Sequence, residues 1–130
     1  MENRYGFGKT VPLSFDAAIA RVTEELQKEG FGVLTEIDVA ATLKKKLGHD
    51  MPAYRILGAC NPPFAKRAIE AEPPVGLLMP CNVVVRQDAQ GTTHVEFMDP
   101  GLMAQMSDNP ALGDLGAEVR AKMQRVMAAL

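Results

Sequence analysis

From Leu77 to Arg86 the chain is almost unbroken apolar sequence, and after Asp88-Ala89-Gln90-Gly91 a second run over 93–98 alternates apolar and polar residues. Two such runs joined by a turn rich in Asp and Gly predict an antiparallel β-hairpin. A lone hairpin is marginal in water and needs more strands or a helical layer to bury its apolar face. The rest of the chain must supply both.

It does so by alternating two periods. Residues 4–11 read as a first strand with Tyr5, Phe7, Lys9 and Val11 on one face. Ser14 then caps a helix carrying Phe15, Ala18, Ile19, Val22 and Leu26 at helical spacing, and Gly30 ends it. Residues 31–37 predict a second strand, Asp38 caps a short helix ending at Leu47-Gly48, and Tyr54 to Cys60 predicts a third strand. Asn61-Pro62 is a cap followed by proline at the first helical position, opening a helix that stops before Pro73-Pro74. Leu77 to Arg86 and 93–98 follow as the fourth and fifth strands. Asp99-Pro100 repeats the cap-plus-proline signal, and Leu112, Leu115, Val119, Met123, Val126 and Leu130 mark a C-terminal amphipathic helix. The expected architecture is one two-layer α+β domain spanning residues 1–130, in the order βαβαβαββα. Its sheet of about five strands is mixed and mostly antiparallel, with helices on one face.

Composition narrows the function classes. With 130 residues, 47% of them hydrophobic and 23% charged, the chain can bury a core without staples. Its net charge of −2 and its lack of Trp argue against a nucleic-acid partner, which would need a basic field and stacking platforms. No apolar run reaches the roughly 20 residues of a membrane span. The start, Met1-Glu2-Asn3-Arg4-Tyr5-Gly6, has no signal-peptide apolar stretch, so a cytoplasmic address is expected. Two cysteines do not make a disulfide framework.

Gly8-Lys9-Thr10 imitates the end of a phosphate-binding loop, but Asn3 stands where that motif needs its first glycine, and Val11-Pro12 follow in place of a helix. Nucleotide binding is excluded on those grounds. The two Cys-Asn steps are more informative. Cys60 precedes a helix N-terminus, where amide donors and the dipole favour an anion and hence a thiolate, with Lys66 and Arg67 about one turn in. The alternative is a small buried residue ending a strand. Asn61 is explained by capping. Asn82 lies within an apolar strand, so it is either a surface residue or a buried amide that must find partners.

Pairing Val85 with Val95 and Val83 with Phe97 keeps apolar residues together and brings Cys81 opposite Asp99. A slip of one residue would bring Met98 there instead. The candidate ligand-binding residues are therefore Cys60, Asn61, Cys81, Asn82 and Asp99. A metal site would draw on Cys60, Cys81, Asp99, His94, and Met98 or Met103, though no close Cys or His pair marks one. A cysteine nucleophile would need His94 or His49 as its base.

The segments Gly30-Phe31-Gly32-Val33-Leu34, Glu36-Ile37-Asp38-Val39, Thr42-Leu43-Lys44, Ile56-Leu57-Gly58-Ala59-Cys60-Asn61-Pro62, Gly76-Leu77-Leu78-Met79-Pro80-Cys81-Asn82-Val83-Val84-Val85 and Asp99-Pro100 together resemble the domain of unknown function 302 family. The resemblance covers nearly the whole chain, with Met79 where leucine is expected. It implies a compact α/β domain that tends to form homodimers, and it brings no catalytic roles. Three readings follow. The leading one is a homodimeric accessory protein that binds a small molecule or ion at the two Cys-Asn segments, with helix amides supplying donors to an anionic group. The others are a thiol redox or sulfur-transfer enzyme using Cys60, and a structural interaction module. The identity of any cofactor is not legible in the residues.

Overall fold

The structure is a computed structural model and describes residues 3–130, so Met1 and Glu2 of the segment read for a leader lie outside it. Five strands, β1 (Gly6–Val11), β2 (Gly32–Asp38), β3 (Tyr54–Cys60), β4 (Cys81–Gln87) and β5 (Thr93–Met98), form one sheet in the order β1-β5-β4-β3-β2. The helices are α1 (Phe15–Lys28), α2 (Val39–Leu47), α3 (Pro62–Ala71), α4 (Gly101–Met106) and α5 (Pro110–Ala128). Among the described residues no helix is long and apolar enough to cross a membrane.

Every strand pair is antiparallel, in line with the mostly antiparallel sheet that the sequence suggests, and no parallel pair is present among the described residues. The reason is topological. A strand, a helix and a strand in succession suggest parallel neighbours, but α1 carries the chain from β1 across the sheet to the opposite edge, and β5 later takes the place beside β1. The hairpin register agrees with apolar pairing: Val83 faces Phe97 and Val85 faces Val95.

Alternation along the strands sends Phe7, Val11, Leu57, Ala59, Val83, Val85, Val95 and Phe97 to one face, where they meet Ala18, Val22 and Leu26 of α1 and Val119, Met123 and Val126 of α5. A second, smaller cluster joins Ala68 of α3, Val75, Met103 of α4, and Leu112 and Leu115 of α5. Lys9 shares the inward face of β1 but extends past the core, and its Nζ donates to Met127 O at 3.3 Å near the end of α5. Tyr5, expected at the start of β1, precedes the strand and is exposed.

The helix signals act as read. Ser14 Oγ accepts from Ala17 N at 3.2 Å, Asp38 Oδ1 accepts from Ala41 N at 2.8 Å, and Gly48 ends α2 with φ 64°. The fourth strand is shorter than expected. Pro73–Leu78 winds into a 3-10 turn, Leu77 is exposed, and β4 begins only at Cys81. An apolar run without alternation does not distinguish a strand from a tight turn, and here Pro73, Pro74 and Pro80 cannot donate to a ladder.

Candidate ligand site at the Cys60 and Cys81 segments

Cys60 is the last residue of β3 and Cys81 the first of β4. These strands are antiparallel neighbours with Ala59 opposite Cys81, so Cys60 lies one step beyond the partner of Cys81 at the same rim of the sheet. Strand spacing and one residue of stagger put their α-carbons roughly 6 Å apart. Both are free thiols lining one cavity of about 40 Å³. The cavity runs along the seam of the two apolar clusters, bridged by Phe64, which packs against both.

Its walls come from local features of the chain. Gly30, at φ 86°, closes α1 so that Phe31 N donates back to Leu26 O at 2.9 Å, and Phe31 is turned inward as one wall. A β-carbon on Gly30 would lie 3.0 Å from Asn61 Nδ2. Asn61, only 8% exposed, donates to Glu29 O at 3.4 Å and accepts from Phe64 N at 3.5 Å. Met79, Pro100, Met103, Leu115, Gly116 and Val119 complete much of the lining.

The amide donors expected at the start of α3 are already spent. Pro62 and Pro63 have no N–H, Phe64 N bonds the Asn61 side chain, and Ala65 N bonds Asn61 O at 2.9 Å. An anion therefore finds no free donor there. Burial first, and the neighbouring Cys60 second, push the Cys81 thiol up to about 11, so Cys81 is protonated at neutral pH. Lys66 pairs with Glu70 at 2.8 Å, and Arg67 pairs with Glu118 at 3.4 Å and stacks over the Phe64 ring.

The other candidates fall elsewhere. Asn82 alternates with the buried Val83, so it faces the opposite side of the sheet, where it is exposed in an open groove with Tyr5, Tyr54, Glu96 and Met98. Asp99 is a structural clamp: its Oδ1 accepts from Gly101 N at 2.8 Å and from Arg120 Nε at 3.1 Å, and its own N–H donates to Tyr5 O. His94 pairs with Asp88 Oδ2 at 2.8 Å and Thr10 Oγ1 at 3.0 Å, and His49 is exposed beyond α2. Neither imidazole lines the cavity. Among the described residues no three His, Cys, Asp or Glu side chains gather as a metal site.

Sequence reasoning did not assign Met79, Phe31, Leu115 or Val119 to a site. The periodicity that flags Leu115 and Val119 marks any core-facing helix residue, so it carries no separate signal for a cavity wall.

The profile described as "Domain of unknown function DUF302" matches residues 7–130. This chain belongs to the DUF302 family. A crystal structure of an "uncharacterized conserved protein DUF302 from Bacillus stearothermophilus" is 30% identical to it, with a TM-score of 0.89 and 98% of each chain covered. The antiparallel α+β architecture described above is thus shared with a solved DUF302 structure. No match was found among curated proteins.

Proposed function

We propose that this domain is an accessory protein that binds a compact ligand, a small molecule or an ion, in the cavity between Cys60 and Cys81. The observation that carries the reading is that two thiols distant in sequence line one apolar cavity at the seam of two core clusters. At about 40 Å³ the space suits a few atoms, well below the roughly 300–1,000 Å³ of sites for drug-sized ligands. The spent amides of α3 weigh against an anion as the occupant. Titration of short alcohols, thiols, carboxylates and metal cations, followed by amide NMR shifts, tests the proposal. Saturable binding tighter than about 1 mM that is lost in Cys60→Ala or Cys81→Ala supports it. Absence of any such binding sinks it. Cys→Ser changes that alter stability alone would favour a packing role.

A second reading rests on the proximity of the thiols. Cys60 would act as nucleophile and Cys81 as resolving thiol, the pair giving up two protons and two electrons to a disulfide or peroxide substrate. With Cys60 one step out of register with Cys81, closing a disulfide would require the chain after Cys60 to turn its β-carbon toward Cys81. Thiols that stay unreactive toward alkylation until the protein unfolds would rule this out. Free thiols also fit a reducing, cytoplasmic compartment.

We further propose self-association through the edge strand β2, where Leu34 and Ile37 are 68% and 50% exposed. Sedimentation of the native chain against Leu34→Lys/Ile37→Lys tests it, with a native dimer and a variant monomer expected.

A further inference from the structure

Four sulfur-bearing side chains, Cys60, Met79, Cys81 and Met103, line the same cavity, although they come from β3, β4, α4 and the segment before β4. The other polar side chain in the wall, Asn61, already has partners for both its carbonyl and its amide. We infer that the cavity is a site for a soft monovalent cation, Cu(I), held by the thiolates of Cys60 and Cys81 and supported by the thioethers of Met79 and Met103. This rests on the reading that the cavity is the ligand site, and it names the ligand.

Ligand softness decides the class. Thiolates suit Cu(I) and zinc alike, but zinc takes a closed set of four Cys, His or carboxylate ligands, whereas thioethers serve Cu(I). Only two donors of the zinc type reach this cavity. Asp99 is committed to Arg120 and the Gly101 amide, and His94 to Asp88 and Thr10. Thioethers complete a coordination shell for a soft ion and add little for a hard one.

The net charge of such a site would be small. Two thiolates and one Cu(I) leave a single negative charge in apolar surroundings. Phe64, a wall of the cavity, carries the Arg67 guanidinium 5.5 Å and the Lys122 ammonium 5.9 Å from its ring centroid, and both cations also pair with carboxylates, Glu118 at 3.4 Å and Glu29 at 4.0 Å. Each thiol releases its proton to solvent on binding, copper stays in the +1 state, and no oxidant or reductant is consumed.

The test is an anaerobic titration of the full chain with Cu(I) under ascorbate, in competition with the chromophoric chelator bicinchoninate, with circular dichroism confirming the fold of each variant. One Cu(I) per chain is expected. Cys60→Ser and Cys81→Ser should each weaken binding by about 100-fold or more. Met79→Leu and Met103→Leu keep volume and apolarity, and each should weaken it by about 10-fold while Zn(II) fails to compete. Cu(I) uptake no greater than that of the Cys60→Ala/Cys81→Ala double variant, Zn(II) binding of equal strength, or methionine variants indistinguishable from the native chain would each overturn the inference. If Cu(I) fails while another compact ligand binds in a Cys60- and Cys81-dependent manner, only the soft-cation inference falls. If nothing binds, the cavity reading falls with it.

Discussion

Gly116 of α5 lies so close to the Pro100 carbonyl that a β-carbon on it would come within 2.8 Å of that oxygen. The contact holds α5 against the Asp99-Pro100 corner, and both residues line the Cys60–Cys81 cavity. Gly116→Ala must push backbone apart, which costs about 1–3 kcal/mol. Gly113, one turn earlier on the same helix, would meet only Ala104 Cβ at 3.8 Å, an ordinary contact. Gly113→Ala should instead stabilise by about 0.5–1 kcal/mol through helix propensity. Urea unfolding of the two variants checks the opposite signs.

Cys81 should be a slow thiol. With its pKa pushed up to about 11, chiefly by burial, only about one molecule in a thousand is thiolate at pH 8, against roughly a quarter for an ordinary cysteine. In a Cys60→Ala chain, iodoacetamide modification of Cys81 should run about 100-fold below that of a free thiol at pH 8 and rise steeply toward pH 11. Mass spectrometry reads the rate, and ordinary reactivity at pH 8 would contradict the burial argument.

Asp88 organises the hairpin turn by accepting from His94 at 2.8 Å, from Gln90 N at 2.9 Å and from Thr92 N at 3.0 Å. The His94 hydrogen bond first, then the Thr92 amide, holds its carboxyl below the usual aspartate range. A depressed folded pKa means that the stabilisation is complete above the unfolded value of about 3.9 and is lost as pH falls through the folded one. Asp88→Asn should therefore lower Tm at pH 6, and the gap to the native chain should close below about pH 4.

Thr93 is 2% exposed on β5, and its hydroxyl has no hydrogen-bond partner. An orphaned buried hydroxyl costs about 1–3 kcal/mol. Thr93→Val keeps the branched shape and removes the orphan, so it should raise stability by about 1 kcal/mol in urea unfolding. A loss of stability would mean that the hydroxyl is satisfied in solution.

Much of the fold was legible because its signals are local. Ser14, Asp38 and Asn61 cap helices where their neighbours in sequence indicate, and the hairpin register follows from matching Val83 with Phe97 and Val85 with Val95. The extent of β4 was not legible, since apolarity alone cannot separate a strand from the 3-10 turn over Pro73–Leu78. Part of the site was readable in hindsight from residue chemistry. Asn61-Pro62-Pro63 announces a helix start whose first two positions have no donors, which is why an anion finds none there.

The amino-acid order by itself determined most of the elements and their caps, because dihedral preference and side-chain period act over a few residues. Only the tertiary structure decided that β1 and β2 lie at opposite edges and that Met79 and Met103 join the two thiols around one cavity. Those outcomes depend on which strand fills the place beside β1 and on how α4 and α5 close over the rim of the sheet. They are set by burial summed over the whole chain, which no local pattern encodes.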